Sequence, residues 1–140
     1  MQVEIMEPEA VRADWGRIGV LLAPAIRQHP GATIAGVLKA ILDGELLCLK
    51  VSDGADGIVC LSRCDGETGT ALYVNYVAGS IEGGPKARYR AIRQFAEAIE
   101  AEARRLGCTE VQGGGRAWKA LGWDVSDREG GGYSLRKVLT

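Results

Sequence analysis

The chain has 140 residues, 46% hydrophobic and 25% charged, and its 17 Lys and Arg nearly balance 18 Asp and Glu to a formal charge of −1. That length suits a single domain, 1–140, burying roughly two-thirds of the surface its unfolded chain exposes, and the composition excludes disorder. No basic footprint exists for a nucleic-acid backbone, and the longest apolar run, residues 18–26, is broken by Gly19 and Pro24 well short of the ~20 residues a membrane helix needs.

Residues 2–6, QVEIM, alternate as a short strand. Their acidic surroundings, MQVEIMEPEA, lack the basic start of a secretory leader, so a cytoplasmic protein is expected. Glu7-Pro8 opens a helix with Val11, Trp15, Ile18, Leu22 and Ile26 on one stripe, which Pro24 should kink or end. A second helix is expected over 33–42, after Pro30-Gly31 and before Asp43-Gly44. Three strand-like runs follow at 45–51, 57–64 and 71–78, separated by Asp-Gly turns, and they read as an antiparallel meander. The four cysteines, Cys48, Cys60, Cys64 and Cys108, form no C-x-x-C pair, and the single histidine, His29, lies in a turn. Buried free thiols are therefore expected, with no metal site and no Cys/His nucleophile.

The stretch from 71 to 107 carries the most information. The apolar strand ALYVNYVA meets Gly83-Gly84, and Pro85-Lys86 opens a long amphipathic helix over 85–106 with Ile92, Phe95, Ile99 and Leu106 inward. Lys86, Arg88, Arg90 and Arg93 crowd the positive end of that helix, ahead of Glu97, Glu100 and Glu102. This order opposes the helix dipole unless an anion docks there; the plainer alternative is a solvated face with Arg93/Glu97 and Glu100/Arg104 pairs. A crossover of this length makes strands 71–78 and 109–112 parallel neighbours, and ligands bind beyond the carboxyl ends of such pairs. If the pair splays past Tyr76, Val77 and Ala78, free main-chain groups can meet an extended amide-containing ligand while Gly83, Gly84 and Lys86 receive phosphates. Gly113-Gly114-Gly115 should then lead into a short helix, 116–121, and a hairpin of 123–125 with 133–139. The fold class expected is α/β (α+β) with a mixed sheet in the order βααβββαβαββ.

With this order, and with WKALGW at 118–123 followed by a hairpin ending YSLRKVL, the chain resembles the GNAT superfamily of acyl-CoA-dependent N-acetyltransferases. The resemblance implies acetyl-CoA as cofactor and an amine as acceptor, with pantetheine along 71–78 and the diphosphate on SIEGGPKAR. The cofactor set it implies is Tyr76, Val77, Ala78, Gly83, Gly84, Lys86, Ala87 and Arg88. Ser80 or Ile81 stands where the family pattern has Arg or Gln, and Trp118 matches the position of the tyrosine that protonates the departing thiolate. The remaining candidates for proton transfer are Glu110 as a base and Tyr73 and Asn75 as groups that orient a water. Arg116 is a further basic residue near the expected site, as an ion-pair partner or a substrate contact.

RLGCTEVQGGGRAWKALGW also resembles compact GNAT-like proteins of tailed phages. It implies the competing class, a protein that keeps the fold without catalysis and works through protein partners in a phage particle or its assembly.

Overall fold

The computed structural model describes residues 1–115 and 119–140. The chain runs β1 (Gln2–Ile5), α1 (Pro8–Ala13), α2 (Trp15–Arg27), α3 (Ile34–Leu42), β2 (Leu47–Ser52), β3 (Ala55–Asp65) and β4 (Thr70–Ile81). There follow α4 (Pro85–Arg105), β5 (Glu110–Gly115), a 3₁₀ turn at Lys119–Leu121, β6 (Asp124–Asp127) and β7 (Tyr133–Val138). The seven strands form one mixed sheet in the order β1-β2-β3-β4-β5-β7-β6. By contact the chain separates into two compact units, Met1–Ser62 with Tyr76–Ile81 and Arg63–Asn75 with Glu82–Thr140.

In the first unit, β1 and β2 pair antiparallel from Gln2↔Ser52 to Ile5↔Leu49, and β2 and β3 from Leu47↔Leu61 to Val51↔Gly57. The expected first helix is two. Asp14, at φ −108° and ψ 17°, leaves helical geometry between α1 and α2, and its main chain serves both ends. Pro24 does not end α2, which continues to Arg27. The carbonyl that loses its donor belongs to Val20, which is 75% exposed and open to water, while Leu22, Ala23 and Ile26 on either side of Pro24 are buried. Thr33 caps α3 by accepting from the Gly36 N–H at 3.0 Å. Val11, Ile18, Leu22, Ile26, Val37 and Ile41 from the three helices join Cys48, Ile58 and Cys60 in one cluster, with Tyr76 and Ala78 of β4 packed against it. β3 and β4 approach closely at Gly79: a Cβ there would lie 2.1 Å from the Asp56 carbonyl oxygen, and its φ of 133° is open to glycine.

In the second unit, β4 and β5 are parallel, in register from Ala71↔Glu110 to Val74↔Gly113. This is the pair expected from the crossover helix. The three glycines after Gln112 extend β5 instead of leading directly into a helix. They pair with β7 at Gly113↔Leu135, Gly114↔Ser134 and Gly115↔Tyr133, so their main-chain groups are satisfied by a strand. Of the short helix expected over 116–121, Lys119–Leu121 is a 3₁₀ turn, and Arg116, Ala117 and Trp118 lie outside the described residues. Glu100 of α4 faces inward and accepts from Trp123 Nε1 at 3.3 Å and from Lys137 Nζ at 2.6 Å, rather than pairing with Arg104. None of the described helices is long and apolar enough to cross a membrane.

Candidate functional site

Two local constructions follow from the sequence around β4. The first is the turn into α4. Gly83 adopts φ 98°, and a Cβ on it would meet that of Ala87 at 2.8 Å, so the turn needs glycine. Gly84 is the helix N-cap and offers no side chain, and a Cβ there would meet nothing within 4 Å. Pro85 follows at the helix start, and the first turn of α4 holds no acidic residue. Lys86 and Arg88 are exposed, and Ala87 is half-buried. Among the described residues nothing accepts from the first main-chain N–H groups of α4, and together with the local positive charge this helix start favours an anion.

Tyr76, Val77 and Ala78 precede this turn along β4, in the first unit. Tyr76 and Ala78 pack toward the helix cluster, so Val77, at 46% exposure, emerges from the other face of the strand. Burial pushes the Tyr76 phenol above its usual range, with Cys60 adding to the effect. His29 meets Tyr76 edge-on at 5.0 Å between ring centroids. Nothing in the spacing of His29 within QHPG indicated this contact, which arises from the return of the chain after α2.

The second construction surrounds Glu110, in the second unit. Glu110 opens β5 and is 0% exposed. Its Oε1 accepts from Arg136 Nε at 3.0 Å and Gln112 Nε2 at 2.6 Å. Its Oε2 accepts from the Thr68 N–H at 3.0 Å, Thr68 Oγ1 at 2.6 Å and Arg136 Nη2 at 3.2 Å. Gly66 makes room for the carboxylate: a Cβ there would fall 2.5 Å from Glu110 Cδ. The Arg136 guanidinium, with Thr68 and Gln112, holds the Glu110 carboxyl well below the usual carboxylate range against the opposing effect of burial. A carboxylate so stabilised is a weak proton acceptor, and both oxygens are already occupied. The sequence offered Glu110 as a candidate base; here its bonds to Thr68, Gln112 and Arg136 also tie β5 to β7 and to the loop before β4. Alternation gave no sign of this. Thr68 lies in the loop after the Asp65-Gly66 turn, and Arg136 reaches Glu110 from a strand 26 residues downstream.

Tyr73 lies opposite Gln112 in the parallel register, beside the Glu110 cluster, with Asn75 two residues further along β4. A Cβ on Gly114 would stand 3.2 Å from the Tyr73 Oη and 2.7 Å from an Arg128 Nη, so the bare glycine admits a phenol and a guanidinium to the same stretch of β5. The sequence pointed to Tyr73 and Asn75; Arg128, in the hairpin turn, carried no signal. Among the described residues no group of three or more His, Cys, Asp or Glu side chains is arranged to hold a metal ion.

No protein-family model and no curated protein matches this sequence. Solved structures do match. An aminoglycoside 6'-acetyltransferase type Ii aligns over 99% of this chain and 97% of its own, with a TM-score of 0.68 and 13% identity. A GNAT-family acetyltransferase from Listeria monocytogenes aligns over 99% and 94%, with a TM-score of 0.60 and 15% identity. The chain has the GNAT acetyltransferase fold. A third GNAT-fold structure, the PaiA N-acetyltransferase from Thermoplasma acidophilum in complex with coenzyme A, covers 99% of this chain and 100% of its own at a TM-score of 0.55 and 14% identity. The parallel β4–β5 pair, joined through α4, is the part of the GNAT fold that the sequence announced most clearly.

Proposed function

We propose that this GNAT-fold protein binds acetyl-CoA and transfers its acetyl group to an amine. The observation that carries the reading is the uncovered Gly83-Gly84 turn at the start of α4, directly after β4, in a first turn without acidic residues. Bound acetyl-CoA supplies a thioester whose acyl group an amine can accept. The main-chain N–H groups of the turn, with Lys86, Ala87 and Arg88 behind it, bind the diphosphate. Tyr73 and Asn75 orient the acceptor or a water that receives its proton, and Tyr73 Oη can donate a hydrogen bond to developing negative charge. Glu110 keeps β5 in register for this arrangement and takes no proton.

Thermal unfolding with and without acetyl-CoA tests the proposal, because selective binding to the folded state raises Tm. Wild type should gain several degrees at millimolar acetyl-CoA, and Lys86→Glu should weaken binding on the order of tenfold by setting a negative charge at the helix start. A wild type with no shift would end the reading. A second reading, in which the fold serves as a binding scaffold for a protein partner without turnover, is favoured by the occupied Glu110 carboxylate. It predicts no acetyl transfer to any amine tried, whether or not the cofactor binds.

A further inference from the structure

Two cysteines in the first unit face each other across neighbouring strands. Cys48 of β2 and Cys60 of β3 are direct partners in the antiparallel register. The Met6 N–H donates to the Cys48 carbonyl at 2.8 Å, so the main-chain groups of Cys48 point toward the β1 side. Cys48 and Cys60 are therefore a non-hydrogen-bonded pair, the type in which facing α-carbons stand only about 4.5 Å apart and the side chains are closest. That spacing falls at the short end of the roughly 4.4–6.8 Å that a disulfide spans. Both residues are free thiols, and they are 1% and 0% exposed.

We propose that Cys48 and Cys60 form a redox site, closing to a cross-strand disulfide when a peroxide oxidises the protein. Cys48 attacks as thiolate: its sulfur bonds one peroxide oxygen, the O–O bond breaks, and the hydroxide released leaves as water with the proton of the Cys48 thiol. The product is a sulfenic acid. The Cys60 sulfur then displaces the sulfenic oxygen, forming the S–S bond, and that oxygen departs as a second water with the Cys60 proton. Two thiols are oxidised and one peroxide is reduced to two waters.

The roles follow from the contact. Contact between the two buried thiols lowers the Cys48 thiol and raises that of Cys60, with burial adding to the rise. Cys64 and Cys108 both have thiols pushed up by burial, and Cys108 adds to the rise at Cys64, so neither is the readier thiolate. Both sulfurs lie in the cluster beneath the helices, so a small oxidant such as peroxide reaches them when this unit opens locally.

The test exposes the native full chain to hydrogen peroxide, blocks remaining thiols with an alkylating reagent and maps the peptides by mass spectrometry. The expected result is a mass loss of two hydrogens, a linked pair of peptides containing Cys48 and Cys60, and full reversal by dithiothreitol with native circular dichroism throughout. Cys60→Ala should stop at sulfenic acid on Cys48, and a fold failure in that variant leaves the wild-type map as the deciding result. The proposal is overturned if Cys48 and Cys60 remain alkylatable, whether because nothing reacts or because oxidation falls on Cys64 or Cys108, or if the linked peptides join two molecules.

Discussion

Replacing Glu110 by Gln separates a structural carboxylate from a catalytic one. The change keeps shape and volume, but one oxygen becomes an NH2 group, which donates and cannot accept. If that group stands at Oε1 it faces the Arg136 Nε, and at Oε2 it faces the Thr68 N–H, each fixed at 3.0 Å. Gln112 can turn its amide and Thr68 can rotate its hydroxyl, but neither of those two donors can move away. One unmet donor costs about 1–3 kcal/mol, and the surviving bonds weaken by about 1 kcal/mol when the acceptor loses its charge. The total is about 2–4 kcal/mol, which for a chain of this size lowers Tm by roughly 10 °C. Urea and thermal unfolding followed by circular dichroism at neutral pH read it directly. A Glu110→Gln protein within about 0.5 kcal/mol of wild type would refute the anchoring argument. Loss of acetyl transfer with unchanged stability would return Glu110 to the role of base.

The same residue sets an acid limit. Its folded-state pKa lies below the unfolded value of about 4.3, so its contribution is complete above that pH and disappears as pH falls toward the folded value. Wild type should lose stability more steeply than Glu110→Gln below about pH 4.3, and parallel urea titrations of the two across that range would contradict the assignment. Gly79→Ala would force a Cβ to 2.1 Å from the Asp56 carbonyl at φ 133°, and a cost of roughly 3 kcal/mol or more is expected from chemical denaturation. Thr33→Ala removes the oxygen that accepts from Gly36 and should cost about 1 kcal/mol by the same assay, with a native spectrum retained.

Local signals in the sequence carried the elements well where periodicity and punctuation agreed. The stripe from Ile92 to Leu106, with Pro85 before it and Gly107 after it, fixed α4 to within one residue, and the length of that helix dictated the parallel β4–β5 pair. Asp14 hid the division between α1 and α2, because Val11, Trp15 and Ile18 keep one helical stripe across it. Gly113-Gly114-Gly115 resembled a loop because glycine has weak strand preference, and only pairing with β7 makes it a strand. The turn at Gly83-Gly84 was legible from composition. The surroundings of Glu110 were not, since its donors come from Thr68 and Arg136, and spacing along one strand says nothing about side chains arriving from other segments.

That carboxylate joins partners 42 residues before it and 26 residues after it. Closing both loops carries an entropic cost that precedes any gain from the bonds, and a cluster completed after the main folding barrier acts on unfolding rather than on folding. Loss of Glu110 should accordingly leave the refolding rate almost unchanged and accelerate unfolding by nearly the whole stability difference, steepening exposure to proteases and heat rather than delaying assembly.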